Sequence, residues 1–600
     1  MRFSPGQHKR FFAQVCVLAV FYLVAQTSIA ALPKLVQSRS NPVICNRLNS
    51  QLSAIPSDST IAVWIFFADK GFTDESGFAK ARVRAENMLT ARSKERRANR
   101  GQNSLEIQYE DIPVYEKYVQ QIHAIRGVQN VRARTRWFNG ISVDASSSAV
   151  AQIALLPFVR EIRDVKSFRY NRPDEDSKST QMDVSLPKIS AELNYGPSYD
   201  QLAQINVVAA HNAGYSGKGV LVLMLDTGFY LDHESVSRER VVAQYDFINK
   251  DSVTQNQPGD PAGQDGHGTS TFSALGGAAD GKLYGPAYQC DFLLAKTEIV
   301  DQEIRVEEDY YVAALEWGDS LGADLASSSL GYLDWYSFKD LNGRTAITTK
   351  GVNRAIARGI TVVTAAGNEN GTEWNHIISP ADAPYVISCG AVNLKGIIAG
   401  FSSHGPTYDG RIKPEVVARG VATYCASNSG PAAYHNGYGT SLSTPLVGGA
   451  TALLLQAHPD WSPLQARRAL MNTADNANNP DNIYGWGLIN VMAAINYIQP
   501  EQKPVATSQN YPNPFSPGYI TTIQYRIAKS VLQKHTGIPI KVKIYDLLGR
   551  QVANLKDENQ LMYVTWDGTN GDGNLVASGL YFYSVQLGDA TDRGKIIFIR

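Results

Sequence analysis

The sequence predicts an α/β protein: a parallel sheet covered by helices, with a small α+β unit before it and a small β-sandwich after it. Three observations carry this. Between about 200 and 498, the apolar runs Val220–Leu225, Phe292–Ala295 and Ile360–Ala365 alternate with helical patterns at Val312–Leu321, Gly351–Arg358 and Ser462–Asn472. Strands without polar alternation belong to a parallel sheet buried on both faces. Ahead of that region strand and helix patterns come in a split βαβ order, and behind it short alternating strands are separated by Asp-Gly and Asn-Gly turns. A chain of 600 residues is too long for one core, so several domains are expected.

In chain order, Arg2, His8, Lys9 and Arg10 precede the apolar stretch Phe11–Ala25, which ends in Ser28-Ile29-Ala30. This is the layout of a secretory signal cleaved after Ala30. A membrane anchor is the alternative; the short apolar run and polar Gln26-Thr27-Ser28 favour the signal. No other stretch is long and apolar enough to span a bilayer, so no transmembrane span is expected after signal removal. Residues 31–60 read as irregular. From 61 to 170 come the strand Ile61–Phe67, a basic helical stretch over Arg82–Arg100 and a helix over Ile112–Ile125. The strands Val128–Arg134 and Trp137–Val143, a helix Ser147–Leu156 and a strand Val159–Val165 follow. That is the order of a ferredoxin-like unit. The basic stretch contains Arg92, Lys94, Arg96, Arg97 and Arg100, lacks aromatics and is interrupted by Glu86 and Glu95. It reads as a solvated helix face and not as a nucleic-acid site.

Residues 171–200, opening with Asn171-Arg172-Pro173-Asp174-Glu175-Asp176, read as an exposed, protease-sensitive linker. The α/β region occupies 201–498, a second linker 499–510, and a β-sandwich 511–600. In the sandwich Ile523–Ile527, Lys541–Tyr545, Leu580–Leu587 and Lys595–Arg600 read as strands.

Lys+Arg and Asp+Glu both number 56, so no global field points to nucleic acid or an anionic membrane. Of five cysteines Cys16 leaves with the signal. Cys45, Cys290, Cys389 and Cys425 have no recurring spacing and read as buried thiols, neither a disulfide framework nor a zinc motif.

In helix-covered sheets chemistry collects at the carboxyl ends of strands. Asp226-Thr227-Gly228 ends the run Val220–Leu225, and Ala366-Gly367-Asn368 ends Ile360–Ala365. His267 lies in Gln264–Ser270, which opens a helical stretch. In Gly439–Pro445, Ser441 begins the apolar helical run of Leu446, Val447, Ala450, Leu453 and Leu454. Alone, Ser441 is either a helix cap or a nucleophile beside free backbone N–H groups. With His267 to accept its proton, Asp226 to orient the imidazole and Asn368 to donate to an oxyanion, the inventory is that of acyl transfer.

Asp226-Thr227-Gly228, His267-Gly268-Thr269 and Gly439–Pro445, with Ala365-Ala366-Gly367-Asn368 between the last two, resemble the signature blocks of the subtilases, the subtilisin-like serine proteases, in their chain order. Ser329-Leu330-Gly331, Lys413–Ala418 and Tyr484–Gly487 add to the resemblance, which covers about 200–498. It implies a subtilisin-like sheet, catalytic roles for Asp226, His267 and Ser441, and an oxyanion role for Asn368. It also implies substrate-pocket walls at Ser329, Leu330 and Gly331 and at Ala366 and Gly367. The sequence departs from the family at Leu442-Ser443, at Arg419, and at Ser235, where a calcium-binding Asp often sits. A structural calcium is therefore left without an assignable ligand, and the chemistry calls for no cofactor.

Residues 61–170 resemble the subtilase prodomain. This implies a folding chaperone and inhibitor, released by self-cleavage within 171–200, whose tail lies in the substrate cleft as a product-like strand. Asn510–Phe515, Lys543–Arg550, Ser578–Tyr583 and Lys595–Arg600 resemble the C-terminal sorting domains of bacterial type IX secretion; a carbohydrate- or surface-binding sandwich is the alternative. The combined expectation is a secreted or cell-surface bacterial serine endopeptidase acting on proteins or peptides. Its partners would be its own prodomain and a secretion machinery, with no nucleic acid. The rival is a catalytically idle surface-binding protein on the same scaffold.

Overall fold

The structure is a computed structural model and describes residues 43–56, 59–72, 75–101, 107–165, 167–168, 193–236, 238–300, 303–304, 306–499, 504–507, 510, 513–517, 521–557 and 563–600. The leader at 1–30 and the linker over 171–192 lie outside them. Two compact units are present, Val36–Ile498 and one containing Gln499–Arg600. No described helix is long and apolar enough to cross a membrane.

The centre of the first unit is a seven-stranded sheet in which every neighbouring pair is parallel. Its spatial order is Val416–Arg419, Ile387–Val392, Thr361–Ala365, Leu325–Ser328, Leu221–Asp226, Asp291–Lys296, Val241–Asp246. The chain winds one way from Leu221–Asp226 and then restarts on its other side at Leu325–Ser328, so the switch point lies between these two strands. Side chains alternate along the first strand. Val222 and Met224 pack with Phe272, Leu446 and Val447 of the helices Gly266–Gly276 and Thr440–Ala457. Leu221, Leu223 and Leu225 face Tyr311, Leu315, Val352 and Ile356 of the helices Val306–Leu321 and Ile347–Ala357. The body of this domain begins before residue 201, because Tyr195 and Tyr199 are part of its core.

The preceding domain has the sheet order Val43–Ile44, Val159–Asp164, Thr60–Phe67, Gly140–Ser146, Val128–Thr135. The last four strands are the ferredoxin-like arrangement. The segment 31–60 is not irregular throughout: Val43–Ile44 pairs in parallel with Val159–Asp164, and the helix Asn46–Ala54 buries Leu48 in the core. The strand expected at 137–143 begins at Gly140, because Trp137–Asn139 form a turn that carries Trp137 out of the sheet. Trp137 packs among Tyr311, Val352 and Ile356 of the sheet domain, with the Arg358 guanidinium 4.8 Å from its ring centroid. Thr135 and the Arg136 and Trp137 backbone N–H groups donate to Glu316, and the Trp64 indole donates to Asp309.

The basic stretch is not one solvated helix. It breaks into Glu75–Asn87 and Ala91–Arg100, the second capped by Thr90 Oγ1, which accepts from Ser93 N at 3.1 Å. Arg96, Arg97 and Arg100 are buried. Arg96 and Arg97 both pair with Asp319, Arg97 also forks onto Asp111 at 3.0 Å, and Arg100 pairs with Asp324 at 3.1 Å. Arg136 and Arg358 join the same network through Asp319 and Asp111. The charge pattern reads as a surface in the sequence because its carboxylate partners, Asp319 and Asp324, lie more than 200 positions along the chain.

Beyond this domain, Ser167–Phe168 pairs antiparallel with Glu303–Ile304 of the sheet domain. The tail therefore leaves as an added strand.

The C-terminal unit has two antiparallel sheets. One contains Val505–Thr507, Thr521–Ile527 and Tyr563–Trp566; the other is ordered Gln551–Asp557, Ile540–Tyr545, Gly579–Leu587, Ala590–Phe598. Ile523, Val542, Trp566, Tyr583 and Phe598 share their core. The sandwich starts inside the expected 499–510 linker, since Val505 is buried in it.

Candidate active site

Asp226 is the last residue of the strand beside the switch point and is 1% exposed. A lone carboxylate there would be costly, and donors from its own strand end and from a neighbouring helix surround it. Oδ1 accepts from Thr227 N at 2.8 Å and from His267 Nδ1 at 2.6 Å, and Oδ2 accepts from Thr271 Oγ1 at 2.9 Å. Burial pushes the carboxyl up, but the His267 charge and these hydrogen bonds outweigh it and hold Asp226 below the usual carboxylate range. The helix Gly266–Gly276 supplies both His267 and, one turn later, Thr271. Gly268 is required between them, since a Cβ there would lie 2.0 Å from the Gly228 carbonyl oxygen. With its Nδ1–H donated to Asp226, His267 has Nε2 as its basic nitrogen.

Ser441 sits in the first turn of the helix Thr440–Ala457, behind Gly439 as N-cap with φ 127°. That left-handed backbone belongs to glycine. A Cβ at 439 would stand 2.7 Å from Ser441 Oγ, 3.4 Å from Asn368 Nδ2 and 3.6 Å from Ser441 N. The space that glycine leaves empty is therefore the one onto which hydroxyl, amide and helix N–H converge. Asn368 is oriented by its carbonyl, which accepts from Thr440 N at 2.9 Å and Thr440 Oγ1 at 3.0 Å. This leaves the Nδ2 donors for the empty space. Ser441 Oγ is buried and has no hydrogen-bond partner among the described residues.

Pro445 lies inside this helix and cannot donate to the Ser441 carbonyl four residues back. Ser329 Oγ donates to that carbonyl instead, at 2.7 Å. Ser329, expected in a pocket wall, thus also repairs the helix under the nucleophile candidate. Gly331 and Gly367, one from each expected wall, both approach Ile378, where a Cβ would come to 2.2 Å and 3.1 Å. Leu330 and Ala366 turn their side chains into separate cores, so only their backbones remain for a substrate.

Sequence reasoning missed Thr271, Ile378 and Thr440. Thr271 was findable, lying four residues after His267 on one helix face; Ile378 carries no chemistry of its own to signal it.

Around the position where a calcium ligand was in question, the groups present do not fit a cation. Asp232 pairs with Arg238, Glu234 with Lys282, and Ser235 Oγ contacts His233 Nδ1 at 2.8 Å. No cluster of three or more His, Cys, Asp or Glu among the described residues is disposed to hold a metal. Cys45, Cys290, Cys389 and Cys425 are free thiols, all but Cys45 buried.

Comparison with known proteins gives matches on both sides of the linker. The Subtilase family profile matches residues 217–487, and a profile described as the Peptidase S8 propeptide domain of Bacteroidota matches 62–181. The chain is 30% identical over 332 residues to subtilisin amylosacchariticus of Bacillus subtilis subsp. amylosacchariticus, covering 55% of this chain and 78% of that one. It is 31% identical over 301 residues to subtilisin BL of Lederbergia lenta, covering 49% and 97%. Among solved structures, a protease from Pseudoalteromonas arctica is 23% identical with TM-score 0.42, covering 51% of this chain and 99% of that one.

Proposed function

The chain belongs to the subtilase family of serine-type peptidases, with a propeptide domain ahead of the peptidase domain, and from that premise we propose that it is a secreted endopeptidase made as a self-processed zymogen. Ser441 is its nucleophile, His267 the general base and acid, Asp226 the group that orients and stabilises the imidazolium, and Asn368 with Ser441 N the oxyanion donors. The observation that carries the reading is the 2.6 Å Asp226–His267 bond, together with Ser441 Oγ, Ser441 N and Asn368 Nδ2 converging on one space.

In the reaction, Ser441 Oγ adds to the peptide carbonyl carbon as His267 Nε2 takes its proton. Charge on the carbonyl oxygen is met by Asn368 Nδ2 and the Ser441 N–H at a helix N-terminus. The C–N bond breaks as His267 returns the proton to the leaving amine. A water, deprotonated by His267, then hydrolyses the acyl ester and regenerates the Ser441 hydroxyl. Every role is filled by a side chain or backbone group. Substrates are proteins or peptides, held as an added strand between the Ser329–Gly331 and Ala366–Gly367 segments; the glycines suggest apolar or aromatic residues beside the scissile bond.

The domain spanning 61–170 acts as chaperone and inhibitor, and the pairing of Ser167–Phe168 with Glu303–Ile304 supports its tail running on as a product-like strand. Residues 1–30 act as signal, and the C-terminal sandwich as a type IX-like sorting domain read by the secretion machinery, placing the enzyme outside the bacterial cell or on its surface.

The test is labelling by an active-site serine phosphonate. Mature protein should label at Ser441, and Ser441→Ala should accumulate as an uncut precursor. A folded mature protein that does not label rejects the enzyme reading. Normal cutting of the variant assigns processing to another protease. Deleting 504–600 should retain the protein in the periplasm; export with lost surface attachment would instead favour a binding sandwich.

A further inference from the structure

Between the prodomain sheet and the helix Ile347–Ala357 lies a cavity of 320 Å³. Sites for small molecules span ~300–1,000 Å³, so this one suits a compact ligand. Six cationic side chains line it, Lys70, Arg136, Arg160 and Arg163 from the prodomain and Lys350 and Arg354 from the helix, against two carboxylates, Glu110 and Glu161.

Half of these cations are already engaged. Arg354 pairs with Glu110 at 2.6 Å, Arg136 with Glu316 and Asp319, and the Lys70 ammonium donates to the Ile112 and Arg136 carbonyls. The other half keep donors to spare. Arg163 is held through Nε alone, by Glu161, while neither Arg160 nor Lys350 has an ion pair or hydrogen bond among the described residues. The Arg160 and Arg163 guanidiniums lie 6.0 and 5.6 Å from the centroid of one ring, Phe66. Lys350 is pushed down to about 8, first by burial and then by the Arg163 charge, with Arg160 acting the same way and Glu161 and Glu308 opposing. Like charges facing a concave protein-walled space repel one another and concentrate counter-ions within it. Guanidiniums with unused donors bind phosphate and carboxylate oxygens in forked pairs.

We propose that this interdomain cavity binds a compact polyanion of the phosphate or polycarboxylate class, which ties Arg160 and Arg163 of the prodomain to Lys350 of the peptidase domain. A ligand that binds only the docked state stabilises docking in proportion to its occupancy. At a hundred times its Kd it slows loss of the prodomain about a hundredfold, if it acts on dissociation alone. The ligand would then set when the zymogen opens.

The experiment uses the full chain carrying Ser441→Ala, so that a negative result bears on the cavity and not on the catalytic reading. Inorganic pyrophosphate and citrate are titrated separately by calorimetry, with ionic strength held by NaCl and metal ions removed beforehand on a chelating resin. One saturable site is expected for at least one of the two, and the arm that binds assigns the phosphate or carboxylate source. Arg163→Met with Lys350→Met should weaken it at least tenfold; Lys350→Gln alone should weaken it measurably and replaces the double variant if that does not fold. In the self-processing chain the same anion should delay prodomain release on size exclusion. Absence of saturable binding by both anions, or binding that these variants leave unchanged, overturns the proposal.

Discussion

Arg97→Ala tests what holds the prodomain in place. Arg97 makes four hydrogen bonds to two carboxylates. The pair to Asp111 stays within the prodomain, whereas the pair to Asp319 crosses to the peptidase domain. Hydrogen bonds to charged groups contribute ~1.5–3 kcal/mol each. Asp319 keeps Arg96 and Arg136 in the variant, so the lower figure applies. Two crossing bonds then give about 3 kcal/mol, roughly a hundredfold in dissociation constant. The assay dilutes the self-cleaved complex and follows the return of peptidase activity. The control is on the same helix: Lys94 pairs with Glu86 at 3.4 Å, with both side chains more than a third exposed. Such a pair contributes ~0–1 kcal/mol, so Lys94→Ala should shift the constant less than about fivefold. A change under about threefold for Arg97→Ala, or one matched by Lys94→Ala, would refute the reasoning.

Asp309 lies fully buried against the prodomain, accepting from Trp64, and burial pushes it up to about 8, with the Glu308 charge adding and Ser142, Arg132 and Trp64 opposing. An acid with a raised value in the complex favours the proton-bound state, so docking is strongest at low pH and weakens as pH rises towards 8. The prodomain dissociation constant should climb by up to about tenfold per pH unit between about 5 and 8. Asp309→Asn should lessen that slope, and an unchanged slope would exclude Asp309 as its source; Glu316, raised by burial in the same interface, supplies what remains. Asn368→Ala should lower kcat by about 10²–10³ with little change in KM in a peptide assay, a figure taken from subtilisin, a relative. Gly439→Ala puts a methyl 2.7 Å from Ser441 Oγ on a backbone of φ 127°, and phosphonate labelling of Ser441 should slow about a hundredfold while the prodomain still binds.

Much of the candidate site was legible because its residues sit at strand ends or helix starts that periodicity reveals. Asp226 and Asn368 terminate apolar runs, and Ser441 opens one. Thr440 and the second role of Ser329 were missed for a different reason. Their roles, orienting Asn368 and filling the acceptor that Pro445 leaves open, exist only once three segments meet. The sheet order of the ferredoxin-like unit followed from its element order, but Val43–Ile44 did not, since a two-residue strand has no period to detect. The basic helix was the largest error. Composition rules treat Arg runs as solvated, and only the fold brings Asp111, Asp319 and Arg358 to them.

The strand Ser167–Phe168 and the arginine helix attach the prodomain at two separate places. If the chain is cut between 171 and 200, as proposed, none of the contacts of Trp137, Arg96 or Arg97 is touched. Scission and unlocking are then independent events with separate clocks. The first is set by the chemistry of one peptide bond; the second by a surface that takes no part in that chemistry. Activity would appear on the schedule of the slower clock, and variation in that surface would retime the enzyme without altering what it cuts.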